Sequence, residues 1–376
     1  MREKFHHQCV VMRWVAIVAL VLGVLAACTP ATKQTPLLSP PPLRADSPEA
    51  ISRQLSPRTQ QLGSWRELAP DLRRSLDYVA AKPAEQLACD AEHLRLTWGQ
   101  MQQTLRKLLE LLPQLDAHPE LLAEQFTWRK IEPDCLFSGY YEPYIKASLT
   151  PQPGYNYPLY ALPRALKKPF HDRAAIDYHG ALKGKGLEIA WAKDPIDVFF
   201  LHIQGSGRLV LPDGSVKHVL YAGTNGQPYV GLSRKLIEMG YMTREEMSMQ
   251  KTRAVLQAHP DKMQSFFSLN PKYIFFKLAD SGPYGAMGAI LTPMVSAASD
   301  RQYIPLGSVM AVQAELPGFG GQASERFSGL VLAQDTGVMR QNHLDLFCGS
   351  GDKAIHQAGH MKGRADVHVL VFDPKK

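Results

Sequence analysis

Phe137-Ser138-Gly139-Tyr140-Tyr141 is where the texture of this 376-residue sequence changes. These five residues are aromatic and alternating, the pattern of a strand with one buried face. The chain before them reads as helix. In 84–112, Leu87, Leu94, Trp98, Met101, Leu105, Leu108 and Leu112 recur at three, four or seven residues, which predicts one amphipathic helix. The segment 120–126 predicts a second, short one. Beyond Tyr141 the chain is a succession of short β-like runs. They are 197–203, apolar and aromatic; 208–211 and 215–219, joined by the turn Pro212-Asp213-Gly214; and then 273–277, 288–292, 309–316, 328–333 and 366–372. Helices interrupt at 232–239, which stops at Gly240, and where Thr243-Arg244-Glu245-Glu246 makes a capping-box pattern. Many short strands at this spacing predict barrels rather than a doubly wound sheet. No internal repeat stands out.

The bulk composition is that of a globular protein, with 45% hydrophobic and 20% charged residues and length for roughly two domains. The formal net charge is +7, but Arg2, Lys4 and Arg13 against Glu3 belong to the first 27 residues, so the remainder keeps about +5. A mildly basic chain is drawn to anionic polymers. No Lys/Arg run with interleaved aromatics appears, so nucleic acid is not expected as a partner.

The start of the chain has its own signal. An apolar run over 14–27 follows Arg13 and ends in Leu25-Ala26-Ala27-Cys28. A bilayer-spanning helix needs about 20 apolar residues, so 1–27 reads as a secretory signal peptide. Cys28 directly after Leu-Ala-Ala resembles a bacterial lipobox, which would make it the lipidated first residue of the mature chain. Thr29, rather than Asp, resembles outer-membrane sorting in Gram-negative lipoproteins, with the protein facing the periplasm. Met12 is an alternative start. Residues 28–58, rich in Pro, Ser, Thr and Gln, then form a lipid-anchored flexible tether. Cys89, Cys135 and Cys348 remain, enough for one disulfide at most.

The residues with the sharpest chemistry are C-terminal: Asp335-Thr336-Gly337, then Asp345-Leu346-Phe347-Cys348-Gly349-Ser350-Gly351, with Asp300 upstream before Tyr303-Ile304-Pro305-Leu306-Gly307. Apolar strand residues lead into Asp335 and flank Asp345. A carboxyl held against apolar walls has its charged form disfavoured, which raises its pKa toward general-acid values. On residue types alone, both remain equally readable as turn positions. Asp-Thr-Gly is also the aspartic-protease signature, but that mechanism needs two copies and the chain has one. His356 and His360, four apart with Cys348 and His343 nearby, have zinc-binding spacing but no His-Glu-x-x-His frame. Gln204-Gly205-Ser206-Gly207 lacks the frame of a nucleophile elbow and of a phosphate loop, and suits a bend that lets a sugar approach the backbone.

Six ordered motifs then converge on one family. They are Phe137-Ser138-Gly139-Tyr140-Tyr141-Glu142-Pro143; His202-Ile203-Gln204-Gly205-Ser206-Gly207; Tyr221-Ala222-Gly223-Thr224-Asn225-Gly226; Asn270-Pro271-Lys272-Tyr273-Ile274-Phe275-Phe276; Ala298-Ser299-Asp300 with Ile304-Pro305-Leu306-Gly307; and the Asp335 to Asp345 segment. Together, over about 130–372, they resemble the membrane-bound lytic murein transglycosylase A family with its C-terminal three-aspartate domain.

The resemblance implies a mainly β fold with N-terminal helices: a double-psi β-barrel interrupted by an inserted second β-barrel, and a glycan groove between them. The implied domains are 59–145 (helical segment and first part of the double-psi barrel), 146–279 (the insert) and 280–376 (second part of that barrel). The implied reaction cuts the β-1,4 bond between N-acetylmuramic acid and N-acetylglucosamine of peptidoglycan strands without water, leaving a 1,6-anhydro end, and needs no cofactor or metal. Asp345 matches the catalytic acid/base and Asp335 would tune it. Tyr141, Gln204, Ser206 and Gly337 would line the groove, with Asp300 a weaker structural candidate. Cell-wall enzyme complexes suit that place, but no motif encodes them. The chain departs from the family at Asp335-Thr336-Gly337-Val338-Met339-Arg340-Gln341-Asn342, where the family reads Asp-x-Gly-Gly-Ala-Ile-Lys-Gly: one glycine is missing and Gln341 replaces another.

Overall fold

The computed structural model describes residues 47–337, 339 and 342–374; Cys28, the signal segment and three residues of the divergent loop lie outside them. Helix α1 (Pro48–Gln54), capped by Ser47, and α2 (Ala69–Ala80) open the described chain. The expected helix over 84–112 is two structures. Strands β1 (Leu87–Ala91) and β2 (Leu94–Thr97) form an antiparallel hairpin, and α3 (Trp98–Leu111) starts only at Trp98. Leu94 and Leu96 are both buried, a period of two, while Thr97 and Gln100 close a full capping box. That box was the true helix start, and the apolar spacing ran through it by coincidence.

After α4 (Leu121–Gln125), β3 (Phe126–Lys130) and β4 (Cys135–Glu142) enter the first sheet. The inserted segment comes next: β5 (Tyr144–Ser148), β6 (Tyr157–Tyr160), α5 (Arg173–Asp177), β7 (Glu188–Ala192), α6 (Pro195–Gln204), β8 (Gly207–Val210), β9 (Val216–Thr224), α7 (Leu232–Glu238), α8 (Met249–Ala258), α9 (Met263–Ser268) and β10 (Ile274–Ala279). The chain then returns through β11 (Ser296–Ser299), β12 (Val309–Leu316), β13 (Glu325–Asp335), β14 (His343–Ser350), α10 (Asp352–His360) and β15 (Gly363–Phe372). None of the described helices is long and apolar enough to cross a membrane.

The first sheet closes on itself. Its order is β12-β13-β11-β14-β4-β15, and β15 pairs again with β12, giving a six-stranded barrel with β3 added on β15. β4 and β14, and β11 and β13, run parallel; the other pairs are antiparallel. Its interior is a single apolar cluster that includes Phe137, Phe327, Leu344 and Leu346 and extends under α2 and α3. Gln60 stitches the N-terminal segment to it: the side-chain amide donates to Leu330 O and accepts from Leu330 N–H, as a neighbouring strand would. The second sheet runs β10-β9-β8-β5-β7-β6, and a bridge between Ala161 and Phe276 brings its two ends together.

Helices are therefore not confined to the N-terminal part. The run 197–203, expected as β-like, is helix α6, with Asp194 capping, Pro195 in the first turn and Gly205 (φ 83°) ending it. α6 is apolar all round because it is buried twice: Val198 and Leu201 pack on the second sheet, while Ile196, Phe199 and Phe200 pack on α7 to α9. A continuous apolar run does not distinguish such a helix from a strand. The Thr243 to Glu246 box does form, but it closes a single turn, and α8 starts later under Ser248. The run 288–292 is a turn bridged once, Tyr284 to Ile290, not a strand. The hairpin across Pro212-Asp213-Gly214 forms as expected. Cys89, Cys135 and Cys348 are all buried and free.

Candidate active site

Strand register places the two acids. Ala298 of β11 pairs with Asp335 of β13 on one side and with Asp345 of β14 on the other. β14 in turn sets Asp345 opposite Ser138 of β4. Residues level with one another on neighbouring strands project to one face. Asp335, Ala298, Asp345 and Ser138 thus form a row across the barrel wall.

Along β4 the same face continues. Phe137 and Tyr141 are buried, whereas Ser138 and Tyr140 face the acids. Ser138 Oγ donates to Asp345 Oδ1 at 2.7 Å and lies 2.7 Å from His343 Nε2. Tyr140 OH donates to Asp335 Oδ2 at 2.9 Å, and the Ala286 backbone N–H donates to Asp335 Oδ1 at 2.9 Å. The Ala286 turn is pressed on β13: a Cβ at Gly285 would lie 2.5 Å from Gln334 O. Two residues beyond Tyr140, the buried Glu142 accepts from Arg208 Nε at 2.7 Å and contacts His218 Nδ1 at 3.1 Å, where β4 passes through Pro143 into the second sheet.

These surroundings set the acids apart from ordinary carboxylates. Part of Asp345 stays open to solvent, yet protein packs densely round its carboxyl. That burial raises its pKa to about 6; Ser138 opposes the rise and the Asp335 charge adds to it. Asp335 is also raised by burial, against the pull of its hydrogen bonds from Thr336, Tyr140 and Ala286. Asp345 can therefore hold a proton near neutral pH and give it up, while both oxygens of Asp335 are already engaged.

The other expected site residues fall in different places. The Tyr141 ring is packed in the barrel core, because strand parity turns it away from the acids; its N–H donates to Gln204 Oε1 at 3.0 Å. Gln204, at the end of α6, is thus a clip between the inserted segment and β4, and its Nε2 reaches Met249 Sδ. Ser206 is half-buried in the bend between Gly205 and Gly207; a Cβ at Gly207 would lie 3.1 Å from Pro143 O, so this bend sits against the crossover between the sheets. Asp300 caps its own turn, accepting from Gln302 N–H at 3.0 Å. Gly337 is exposed, and among the described residues a Cβ there would meet only Met339 Sδ, at 3.7 Å. His356 and His360 face each other on α10, and among the described residues no group of three His, Cys, Asp or Glu side chains is placed to hold a metal ion. An open depression of about 530 Å³ lies in the inserted segment, lined by Lys167, Phe170, His171, Asp172 and Gln227, away from the strands that carry the acids.

Sequence reasoning missed Ser138, Tyr140, His343 and Ala286. A signal for two of them existed: with Phe137 in the core, period-two alternation assigns 138 and 140, not 141, to the opposite face.

A carboxyl whose pKa burial raises to about 6, on the wall of a closed barrel beside a second carboxyl that is fully engaged, suits general acid/base chemistry and lacks the paired Asp-Thr-Gly copies of an aspartic protease. Comparison with known proteins narrows this. Residues 136–277 match the family described as the MltA specific insert domain, and 295–371 match the 3D domain. The chain is 35% identical over 232 residues to the membrane-bound lytic murein transglycosylase A of Vibrio cholerae, a stretch covering 60% of this chain and 62% of that relative's length. Among solved structures it resembles the membrane-bound lytic murein transglycosylase from Agrobacterium tumefaciens (TM-score 0.72, 29% identity, 85% of this chain and 94% of that one). It also resembles Escherichia coli MltA with bound chitohexaose (TM-score 0.69, 27% identity, 82% and 90% covered). A lytic transglycosylase of Burkholderia pseudomallei is 32% identical, with 84% and 93% covered and a TM-score of 0.51. The chain belongs to the membrane-bound lytic murein transglycosylase A family.

Proposed function

We propose that the protein is a lytic transglycosylase that cleaves the β-1,4 bond between N-acetylmuramic acid and N-acetylglucosamine in peptidoglycan, with Asp345 as its single acid/base. The supporting observation is Asp345 itself: a carboxyl with its pKa raised to about 6 and one oxygen bonded to Ser138, in a row whose other carboxyl, Asp335, has both oxygens engaged. Its proton passes to the leaving glycosidic oxygen as the bond to C1 breaks. The muramyl 6-hydroxyl then attacks C1, and its hydrogen passes to the Asp345 carboxylate, which restores the acid. Water takes no part, so no second carboxylate is required to activate it. Asp335, pinned by Tyr140 and Ala286, shapes the field at Asp345.

In this reading the glycan lies between the two sheets, beside Ser206, Gly337 and the face of Tyr140, with Gln204 setting the sheets' spacing and Asp300 holding the turn behind β11. The E. coli relative's bound chitohexaose supports a glycan as ligand. We read the closed barrel as the double-psi type, formed by 59–145 and 280–376 around the insert 146–279. Lipidated Cys28 anchors the protein to the outer membrane, facing the periplasm; the expected tether over 28–58 stops short of α1 (Pro48–Gln54), whose Ile51 is buried in the barrel's core cluster. Mass spectrometry of the fragments that purified protein releases from sacculi tests the reaction. The expected product has 1,6-anhydromuramyl ends; reducing ends would make the protein a hydrolase, and no soluble product would make it a binding protein.

A further inference from the structure

Ser138 Oγ stands 2.7 Å from Asp345 Oδ1 and 2.7 Å from His343 Nε2. The register explains the meeting: His343 and Asp345 lie two apart on β14, on one face, opposite Leu136 and Ser138 of β4. A serine hydroxyl has one hydrogen to give and two lone pairs with which to accept. When it donates to Asp345 it can only accept from His343, whose Nε2 must then carry a hydrogen. A bare Nε2 would instead draw the serine hydrogen to itself. The ring's tautomer thereby decides what Asp345 receives.

We propose that His343 is a positioning residue: by donating Nε2–H to Ser138 it fixes the serine hydrogen on Asp345 Oδ1 and so directs the transferable proton to Asp345 Oδ2. This rests on Asp345 being the acid/base of the proposed reaction. Oδ1 already receives a hydrogen, which makes it the poorer seat for a second. The proton leaves Oδ2 for the glycosidic oxygen as the C1–O bond breaks, and Oδ2 takes the hydrogen of the 6-hydroxyl as the new C1–O bond forms. Ser138 donates to Oδ1 throughout, most strongly while the carboxylate is charged, and His343 neither gains nor loses a proton. Other groups face this trio. Asp335 and Tyr140 stand beside Asp345, Cys348 follows on β14, Asp300 lies beyond β11, and Arg364 of β15 is level with Leu136 and bonded to Asp134 O. Of these, Asp335, Tyr140 and Cys348 interact with Asp345 through charge; Ser138 acts through a hydrogen.

That difference is measurable by NMR titration of the ¹³C-labelled Asp345 carboxyl in the whole protein. Removing a hydrogen bond to the charged form raises a carboxyl's pKa. Ser138→Ala is expected to raise it by about one unit, and Ser138→Thr to restore it. His343→Phe leaves the hydroxyl unfixed and should raise it by part of that amount, His343→Gln, which keeps an N–H donor, by less. In the Ser138→Ala background His343→Phe should add nothing. An equal His343→Phe shift with and without the serine, or no shift in either, overturns the proposal. The alkaline limb of kcat should move in step with the titration. Because the titration needs no turnover, a protein that releases no anhydromuramyl product would sink the proposed activity while leaving this hydrogen-bond link tested on its own.

Discussion

Asp335 and Asp345 are held level with each other by one residue: Ala298 is the register partner of both, on its two sides. Two strand spacings separate their backbones, about 9–10 Å. Between them β11 contributes only the methyl group of the buried Ala298, so no polar side chain of that strand separates the acids. Asp335 raises the pKa of Asp345 by its charge, yet its own oxygens are taken by Tyr140 and Ala286. In the proposed reaction Asp345 is the working acid and Asp335 a fixed charge beside it.

Asp335→Asn removes that fixed charge. The Asp345 pKa should fall, the acid form should be lost at lower pH, and the alkaline limb of the rate profile should move down. Tyr140→Phe should move it the same way by less, since Asp335 loses a donor to its charged form and becomes neutral more readily. Rates of fragment release measured across pH would read both; an upward shift in either would count against the arrangement.

Asp345→Asn should abolish release of anhydromuramyl fragments and also stabilise the fold, but only at higher pH. Below the ordinary value of 3.8 the carboxyl is protonated whether the chain is folded or not, so burial carries no ionisation cost. From there to about 6 the unfolded chain ionises while the folded one keeps its proton; the penalty grows, then stays constant. The gain at pH 7–8 should be on the order of 1–3 kcal/mol, reduced by the site's partial access to solvent, and near zero at about pH 4. Denaturation midpoints at the two pH values check this.

Glu142→Leu should be among the most damaging changes away from the acids. It strands the Arg208 and His218 groups that converge on a fully buried carboxylate. Removing one partner of a buried pair costs about 3–5 kcal/mol. Chemical denaturation should show this loss, with a much smaller one for Lys217→Ala, whose ion pair with Asp280 is exposed.

Gly285→Ala puts a methyl 2.5 Å from Gln334 O and 2.6 Å from Leu291 Cδ2. The turn must lift, and the Ala286 N–H that holds Asp335 lifts with it. Activity should drop roughly ten- to a hundredfold, as for other small misplacements beside a reacting group. Gly363→Ala, whose Cβ meets nothing within 4 Å, serves as the comparison and should change little.

About half of the strands, and the strand context of the two acids, were legible in the sequence, because barrel strands buried on one face or on both carry strong apolar signals; the short strands β1 to β3, β5 to β7 and β11 were not. β12 was read to the residue. The errors have physical causes. α6 hides its period because two cores bury it; the β1–β2 hairpin borrowed the apolar spacing of the helix after it. Tyr141 was favoured over Tyr140 because a motif names both while strand parity separates them. Ala286 could not be read at all, since it contributes only a backbone N–H, and no side chain announces that. His343 was weighed as a metal-site neighbour, and only β-register brings it to Ser138.

The order of strands in the barrel has a consequence in time. β14, which carries Asp345, is wedged between β11 and β4, and β15 then closes the ring. A chain that ends before β14 has every strand of the second sheet, β5 to β10, and still lacks Asp345. If Asp345 is the acid/base, the site is complete only once β15 has paired with both β4 and β12, so ring closure itself gates the chemistry.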